Sequence, residues 1–248
     1  MIQSLAKNGK VLMLAYDQGF EHGPVDFNEK NIDPTYIMNV AREAGVFTGI
    51  IFHEGVAARY YDATTNIPLV VKLNGRTAYR SGEEPYSPLL CTVKRAVELG
   101  ASGVGYTIYV GSEHEAKMME EFSKMEDEAH AAGLTVIAWM YPRGKKVEGV
   151  ENNKETVAYA ARLGLELNAD MVKVPYVVEP GGMKWVVEAA GKTKVVIQGG
   201  GKKEWTELEA EVKSAMNQGV AGLAVGRNVW QAENPAEVAR NLSQLVFV

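Results

Sequence analysis

Eight short runs of apolar, β-branched residues recur along the whole chain, and they constrain its fold more than any other feature. The runs are nearly continuous in apolar residues rather than alternating with polar ones, as expected for parallel strands that helices cover on the outer side. We therefore predict eight strands. They are Val11–Tyr16, Gly49–His53, Leu69–Leu73, Gly103–Val110, Thr135–Met140, Met171–Tyr176, Lys194–Gln198 and Ala221–Val225.

The segments between these runs carry helix signals. Three have a capping side chain before proline, the residue favoured at the first helical position, at Asp33-Pro34, Ser87-Pro88 and Asn234-Pro235. Several end in a glycine that suits a left-handed C-cap. These glycines are Gly45, Gly100, Gly133, Gly164 and Gly219.

Repeated strand–helix units predict a parallel sheet, and its closure into a single (β/α)8 TIM barrel over residues 1–248 follows best. Such a barrel typically fills about 250 residues, which leaves little room for a second domain. The alternative is an open doubly wound sheet. Its G-x-G-x-x-G fingerprint is absent, because Gly103-Val104-Gly105 is followed by Tyr, Thr and Ile. A Walker A loop is absent too, because Gly201-Lys202 is followed by Lys203.

Composition indicates which partners the protein lacks and which compartment it occupies. A net charge of −5 argues against nucleic acid, because a phosphate backbone needs a clustered positive surface. No apolar run approaches the roughly 20 residues that span a bilayer, so we predict no membrane partner. Cys91 is the only cysteine, and the run Leu89-Leu90-Cys91 predicts helix packing in a reducing compartment. Met1–Lys10 lacks the layout of a cleaved signal peptide, so we predict a cytoplasmic protein.

Two lysines lie within apolar strands, and either could be chemically active. Burial in Met171-Val172-Lys173-Val174-Pro175 would favour the neutral amine of Lys173, which can attack a ketone. The structural alternative is a lysine that extends through the barrel wall to solvent or pairs with a carboxylate. Lys72 lies in an equally apolar run, so spacing alone does not separate the two lysines. Lys72 could share the pocket as a charge or a hydrogen-bond donor.

Other polar residues follow the strands at the carboxyl end of the barrel, where active sites of this fold are built. Tyr141 ends the strand next to that of Lys173 and could move protons beside an imine. Trp139 should face the same way as Tyr141. Asp17, after the first strand, could orient hydroxyls or transfer protons. Taken singly, Tyr141 could equally be a rim aromatic and Asp17 a turn residue.

The exits of strands seven and eight carry the strongest local signal. Gln198-Gly199-Gly200-Gly201-Lys202 and Val225-Gly226-Arg227-Asn228 combine glycine amides with positive charge, as a phosphate site requires. Tight turns are the structural alternative. The four histidines, His22, His53, His114 and His130, show no spacing typical of metal ligands, so we predict no metal and no cofactor. His22 could contact substrate or serve only in a turn.

The sequence resembles the archaeal-type class I fructose-bisphosphate aldolases, a family that also includes 2-amino-3,7-dideoxy-heptulosonate synthases. The resemblance covers essentially the whole chain. It is carried by Ala15-Tyr16-Asp17-Gln18-Gly19-Phe20-Glu21-His22-Gly23-Pro24, Trp139-Met140-Tyr141-Pro142-Arg143-Gly144, Val172-Lys173 and the two glycine-rich exits.

The resemblance implies that Lys173 forms an imine and that Tyr141 is the acid/base. It also implies that Trp139 lies beside Tyr141 and that Asp17 contacts substrate hydroxyls. It also implies a homo-oligomer, ring-like in form, and a role for Arg143 at a second phosphate. The phosphate site implied by the resemblance consists of Gly199, Gly200, Lys202, Gly226 and Arg227. Gln198 departs from the family pattern, because a small residue such as serine is expected before the paired glycines.

We therefore expect a class I aldolase that reversibly cleaves fructose 1,6-bisphosphate to dihydroxyacetone phosphate and glyceraldehyde 3-phosphate. One alternative keeps the imine and changes the substrates, as in a transaldolase-like synthase of aromatic biosynthesis. Another is an imine-free phosphosugar isomerase or epimerase in which Asp17 and Tyr141 are acid and base. A phosphate-ligand sensor without catalysis would leave the buried lysine without a chemical task.

Overall fold

The structure is a computed structural model that describes residues 2–247 of the chain. Eight parallel strands pair in sequence order, and the last pairs with the first, so that the sheet closes into a barrel. This confirms the predicted (β/α)8 barrel. The strands are β1 (Val11–Ala15), β2 (Gly49–His53), β3 (Leu69–Lys72), β4 (Gly103–Val110), β5 (Thr135–Pro142), β6 (Met171–Val174), β7 (Lys194–Gln198) and β8 (Gly222–Val225).

Helices follow each strand, and most of them cover the outside of the barrel. The helices are α1 (Gln18–His22), α2 (Pro34–Ala44), α3 (Glu54–Tyr60), α4 (Val93–Glu98), α5 (Glu115–Ala131), α6 (Lys154–Glu166), α7 (Gly182–Ala190), α8 (Trp205–Asn217), α9 (Arg227–Trp230) and α10 (Pro235–Val246). By contrast, α1 and α9 contribute residues to the carboxyl-end rim of the barrel. Short 3-10 turns cover Ile2–Leu5, Gly23–Asp26, Ala63–Thr65, Ala78–Arg80 and Lys145–Val147. Within residues 2–247, no helix combines the length and apolar character that a bilayer crossing requires.

The apolar runs form strands because both faces of the sheet are buried. One face packs against the helices, and the other fills the barrel interior with side chains that include Met13, Ile51, Val70 and Ile137. Leu5 belongs to the same interior cluster. The barrel is therefore a packed core, and its charged inward side chains, Lys72 and Lys173, lie toward the carboxyl ends of their strands.

Three strands, β2, β4 and β7, have the predicted bounds, and the other five differ from the prediction by one or two residues at one end. The strand β5 continues to Pro142 because β4 pairs with it over its whole length, from Gly103↔Thr135 to Val110↔Pro142. The strand β6 ends at Val174, immediately before Pro175, which lacks the N–H that a ladder needs.

Some helix signals were right and others wrong. Asp33 caps α2 by accepting a hydrogen bond from the Thr35 amide at 2.9 Å, as predicted. The prediction of a helix start at Ser87-Pro88 is wrong: α4 begins at Val93, capped by Thr92, and Ser87 lies in the preceding loop. Cys91 is buried just before that helix rather than within it.

The prediction for Gly164 is also wrong. This residue lies inside α6, and the left-handed residue beyond the helix is Asn168, with φ 62°. A β-carbon at Gly164 would lie 2.1 Å from Val172 Cγ1. The glycine therefore permits close packing of helix on strand. By contrast, Gly45 ends α2 in the left-handed conformation that was predicted, with φ 64°.

Candidate active site

A cavity opens at the carboxyl ends of the strands and brings together most of the predicted site residues. Lys173, Tyr141 and Asp17 all face it. The other predicted residues that line it are Trp139, Arg143, His22, Gln198, Gly199, Gly200, Gly226 and Arg227. Five further residues line it that the sequence did not single out, namely Ala15, Gln18, Glu21, Thr107 and Ala224.

Lys173 presents a buried amine to this cavity. It pairs with Trp139 on one side and Val196 on the other, and only 6% of the residue is exposed. Within residues 2–247 its Nζ has no hydrogen bond or ion pair, and its contact is with the Trp139 ring, 5.0 Å from the centroid. Burial lowers the pKa of Lys173, and the carboxylates of Asp17 and Glu21 oppose this shift. The environment thus increases the neutral, nucleophilic fraction of the amine.

Lys72 is buried as deeply, but its amine is engaged. Its Nζ donates to the Asn74 carbonyl oxygen at 2.7 Å and to Asn74 Oδ1 at 2.8 Å. Burial lowers the pKa of Lys72 to about 8. Lys72 does not line the cavity that holds Lys173, so the structure does not bring it to the position predicted for a substrate contact. These hydrogen bonds distinguish Lys72 from Lys173, which the sequence alone could not do.

Tyr141 and Asp17 place a phenol and a carboxylate beside the amine. In the described part of the chain, the Tyr141 hydroxyl has no hydrogen-bond partner. Burial raises the pKa of Tyr141 well above its usual value, and the Asp17 carboxylate raises it further. The phenol therefore stays protonated at neutral pH. Asp17 stands at the start of α1 but its side chain does not cap the helix, which leaves the carboxylate free to meet a ligand.

The position of Trp139 depends on a glycine of the neighbouring strand. A β-carbon at Gly105 of β4 would lie 2.0 Å from Trp139 Cζ3 and 2.1 Å from Cη2. Any larger residue at Gly105 would push the indole away. Trp139 and Tyr141 both face the cavity, as the alternation along a strand predicts.

The exits of β7 and β8 form a concave surface of backbone amides. The Gly199 amide donates to the Ala224 carbonyl at 2.9 Å and is occupied. Among residues 2–247, the amides of Gly200, Gly226 and Arg227 have no protein acceptor. Gly200 has φ 66°, a conformation that favours glycine. Free amides beside a guanidinium are the groups that bind a phosphate.

Two polar side chains that the sequence analysis missed hold this surface in shape. Asn228 Nδ2 donates to the carbonyl oxygens of Gly199 at 2.7 Å and Gly201 at 2.8 Å. Asp26 contacts both His22, at 2.5 Å, and Arg227, at 3.4 Å. Local sequence does not mark Asn228, whose partners lie 29 and 27 residues away. Asp26 is only four residues from His22, but its link to Arg227 spans 201 residues.

The end of the glycine loop lies outside the cavity. Gly201 and Lys202 are exposed, and neither lines the cavity, so the structure does not bring these predicted residues to the phosphate surface. The neighbouring Lys203 forms ion pairs with Glu207 and Glu211 of α8. Arg227 provides the positive charge instead, and its Nη2 donates to the Gly200 carbonyl at 3.2 Å.

A second positive group lies at another part of the rim. The Arg143 guanidinium carbon lies 5.4 Å from the Tyr141 ring centroid and 5.7 Å from that of Tyr109. The Tyr109 hydroxyl donates to Glu21 at 3.2 Å. The Arg143 side chain has no carboxylate partner in the described residues, so its charge is available to an anion.

Gln18 and Gln198 add uncharged polar groups. Gln18 Oε1 is buried without a partner among the described atoms. A β-carbon at Gly226 would lie 2.3 Å from Gln18 Nε2, so this glycine makes room for Gln18. The His, Cys, Asp and Glu side chains within residues 2–247 form no group of three or more that could hold a metal ion.

Comparison with known proteins places this geometry in a family. Residues 11–232 match the family model described as DeoC/LacD family aldolase. The chain belongs to this aldolase family. It is 46% identical to a class 1 fructose-bisphosphate aldolase of Thermoproteus tenax over 99% of this chain and 93% of that protein. It is 42% identical to a class 1 fructose-bisphosphate aldolase of Halobacterium salinarum over 98% and 92%, respectively.

A solved structure shows the same similarity. It is described as an archaeal fructose-1,6-bisphosphate aldolase with the catalytic Lys covalently bound to the carbinolamine intermediate of the substrate. Its TM-score with this chain is 0.94 at 44% identity, covering 100% of this chain and 98% of the other. In this member of the DeoC/LacD aldolase family, the cavity therefore offers an unbonded amine, a protonated phenol, a carboxylate and an amide-lined anion site.

Proposed function

We propose that this chain is a class I aldolase that cleaves fructose 1,6-bisphosphate through an imine on Lys173. The observation that carries the proposal is the buried amine of Lys173, which has no hydrogen bond in the described part of the chain and lies in a cavity that Tyr141 and Asp17 also face. The products would be dihydroxyacetone phosphate and glyceraldehyde 3-phosphate. The similar proteins named fructose-bisphosphate aldolase support this substrate.

In the first step, the neutral amine of Lys173 adds to the C2 carbonyl and forms a carbinolamine. Loss of water from C2 gives a protonated imine, whose positive nitrogen attracts electrons. Removal of the proton from the C4 hydroxyl then breaks the C3–C4 bond. The bond's electron pair moves into an enamine, and the aldehyde leaves. Protonation at C3 and hydrolysis of the imine release dihydroxyacetone phosphate and restore the amine.

Tyr141 is suited to the proton transfers. Because its pKa is raised, the phenol is a proton donor at neutral pH, ready to help the carbinolamine oxygen leave as water. Within residues 2–247, the Asp17 carboxylate has no hydrogen bond or ion pair, so it is suited to bind the substrate hydroxyls or accept a proton from one. These two roles divide the acid and the base between separate side chains.

The two phosphates would occupy different parts of the rim. The amides of Gly200, Gly226 and Arg227 and the guanidinium of Arg227 suit the C1 phosphate, since they lie beside β7, the neighbour of the Lys173 strand. Arg143 suits the C6 phosphate, since its guanidinium has no carboxylate partner in the described residues. Binding both ends would hold C2 next to Lys173 Nζ and convert binding energy into orientation.

Borohydride trapping tests the proposal. Reduction in the presence of dihydroxyacetone phosphate should leave a stable adduct on Lys173, which peptide mass spectrometry locates. Lys173→Ala should abolish both the adduct and the cleavage of fructose 1,6-bisphosphate. Lys194→Ala, at an exposed lysine at the start of β7, is the matched control and should behave like the wild type. An adduct on Lys72 in place of Lys173 would overturn the assignment.

A second imine-forming activity is the alternative, because one relative is named for it. The chain is 33% identical to a 2-amino-3,7-dideoxy-D-threo-hept-6-ulosonate synthase of Archaeoglobus fulgidus, over 98% of this chain and 88% of that protein. Coupled release of triose phosphates from fructose 1,6-bisphosphate distinguishes the two activities. Full activity after Lys173→Ala would instead favour the imine-free isomerase. The higher identity to the proteins named aldolase favours aldol cleavage.

The cytoplasmic location and the homo-oligomer remain predictions. Large apolar side chains exposed on the surface, such as Val178 and Trp185, are compatible with contacts between copies. Light scattering coupled to size-exclusion chromatography gives the mass in solution. A mass near 27.1 kDa would contradict the oligomer.

A further inference from the structure

Lys72 is a deeply buried charged side chain that the proposed reaction does not use. It ends β3, and only 2% of it is exposed. Both acceptors of its ammonium, at 2.7 and 2.8 Å, belong to Asn74. Burying a lysine is unfavourable unless its charge has partners, so the arrangement calls for a specific role.

Asn74 is itself held rigidly. Its Nδ2 donates to the carbonyl oxygens of Ser87 and Thr107, each at 2.9 Å, and its Oδ1 accepts from the Thr107 amide at 2.7 Å. All of these groups are buried. Asn74 thus connects the loop after β3 to the middle of β4, and it fixes the Lys72 ammonium relative to the barrel wall.

The fixed ammonium contacts the indole that also contacts the reactive amine. Lys72 Nζ lies 5.5 Å from the Trp139 ring centroid, and Lys173 Nζ lies 5.0 Å from it. Trp139 Nε1 is buried and has no acceptor in the described part of the chain. Within the described residues, no hydrogen bond of its own positions the indole. Its position depends on packing in the barrel interior, on the space at Gly105 and on the two lysines.

We propose that Lys72 is a positioning residue whose ammonium, fixed by Asn74, holds the Trp139 indole against the amine of Lys173. This inference rests on the imine-forming role proposed for Lys173. Cation–π attraction orients a ring most strongly where water is excluded, as it is here. Because the pKa of Lys72 is about 8, the ammonium is the main form at neutral pH and supplies the charge.

The experiment replaces Lys72 with methionine or glutamine and measures cleavage of fructose 1,6-bisphosphate by the whole protein. We expect kcat to fall about tenfold, the size of one desolvated cation–π contact. KM should not change, because Lys72 does not line the substrate cavity. Borohydride trapping of dihydroxyacetone phosphate on Lys173 should slow by the same factor. Lys194→Met, at an exposed barrel lysine, is the control and should leave both rates unchanged.

The Lys72→Gln variant protects the test against misfolding, because glutamine keeps a hydrogen-bond donor for Asn74 while it removes the charge. A double-mutant cycle then asks whether Lys72 acts through the indole. In a Trp139→Leu background, Lys72→Gln should cause no further loss of kcat. A purely structural role would reduce the rate by the same factor in both backgrounds.

Three results would overturn the inference: an unchanged kcat in folded Lys72→Gln, a raised KM at constant kcat, or independent losses in the double-mutant cycle. Failure of the wild type to form an adduct on Lys173 would instead overturn the proposed function. Labelling of Lys173 in the wild type, combined with unaffected Lys72 variants, would remove only the positioning role.

Discussion

At the scale of single residues, hydrogen-bond partners decide which side chains can react. Lys72 and Lys173 are both buried lysines at inward positions of the barrel. Asn74 engages one amine, whereas within residues 2–247 the other has no hydrogen bond or ion pair. The same contrast separates Gly199, whose amide is bonded to Ala224, from Gly200, whose amide is free. At this site, the groups without a hydrogen-bond partner are therefore the ones assigned to chemistry or binding.

Tyr141→Phe tests the proton-transfer role. We expect kcat for aldol cleavage to fall about 10²- to 10⁴-fold, the usual contribution of general acid–base catalysis. The Lys173 amine is retained, so borohydride should still trap dihydroxyacetone phosphate on it, at a reduced rate. Tyr159→Phe, at an exposed tyrosine of α6, is the matched control. A Tyr141→Phe enzyme with normal kcat would rule out the role.

Arg227→Met tests the anion site. A charged hydrogen bond contributes about 1.5–3 kcal/mol, so KM for fructose 1,6-bisphosphate should rise about 10- to 100-fold. Inhibition by inorganic phosphate should weaken in parallel. Arg240→Met removes a surface arginine that bonds only to the Glu43 carbonyl in the described residues, and it should change neither value. Unaltered phosphate inhibition in Arg227→Met would contradict the assignment.

At the scale of elements, the long pairing of β4 with β5 carries the centre of the site. Thr107 and Tyr109 of β4 pair with Trp139 and Tyr141 of β5. All four positions lie beyond Gly105 toward the carboxyl ends, where the barrel interior changes from apolar to polar. The alignment of these strands therefore decides which side chains meet Lys173.

Gly105→Ala tests this dependence. The added methyl group would lie 2.0 Å from the indole, so Trp139 must move. We expect a loss of about 1–3 kcal/mol in the free energy of unfolding, as for other overpacked cores, and a fall in kcat because the indole leaves Lys173. Urea unfolding and steady-state kinetics measure the two effects.

Gly55→Ala is the matched control for that substitution. A β-carbon at Gly55 meets no atom within 4 Å, and the residue lies in α3, where alanine is favoured. It should leave kcat unchanged and the stability equal or higher. A wild-type kcat in Gly105→Ala would show that the indole position does not matter to the reaction.

The elements that could be predicted from sequence are those set by local pattern. All eight strands were predicted, because continuous apolar runs reflect burial on both faces. The start of α4 was missed, because Ser87-Pro88 has the local form of a cap while its loop is held by a bridge between Asn74 and Leu89. The roles of Gly105 and Asn228 depend on partners distant in the chain, and no local signal announces them.

At the scale of the whole molecule, buried titratable groups couple stability to pH. In the folded protein the pKa of Lys72 is about 8, whereas an unfolded lysine titrates near 10.4. Between these values the unfolded chain binds more protons than the folded one, so stability rises with pH. Above about pH 10 the buried tyrosines reverse the trend, because burial raises the pKa of Tyr16 and Tyr109 to about 12.

Lys72→Met isolates the lysine part of this dependence. Between pH 8 and about 10, the wild type should gain up to about 1.4 kcal/mol in unfolding free energy per pH unit from this one group. The variant should lack that gain. Urea unfolding at a series of pH values measures both slopes, and Lys194→Met, an exposed lysine, should keep the wild-type slope. Parallel slopes in the wild type and Lys72→Met would contradict the prediction.

The unbonded amine of Lys173 also affects how the protein reacts with compounds other than its substrate. An amine with a lowered pKa and no hydrogen bond within residues 2–247 is also open to other small carbonyl compounds that enter the cavity. Small aldehydes should therefore modify this lysine before the many charged lysines on the surface. A saturating phosphate ester in the cavity should shield it, so occupancy by substrate would also protect the protein from chemical damage.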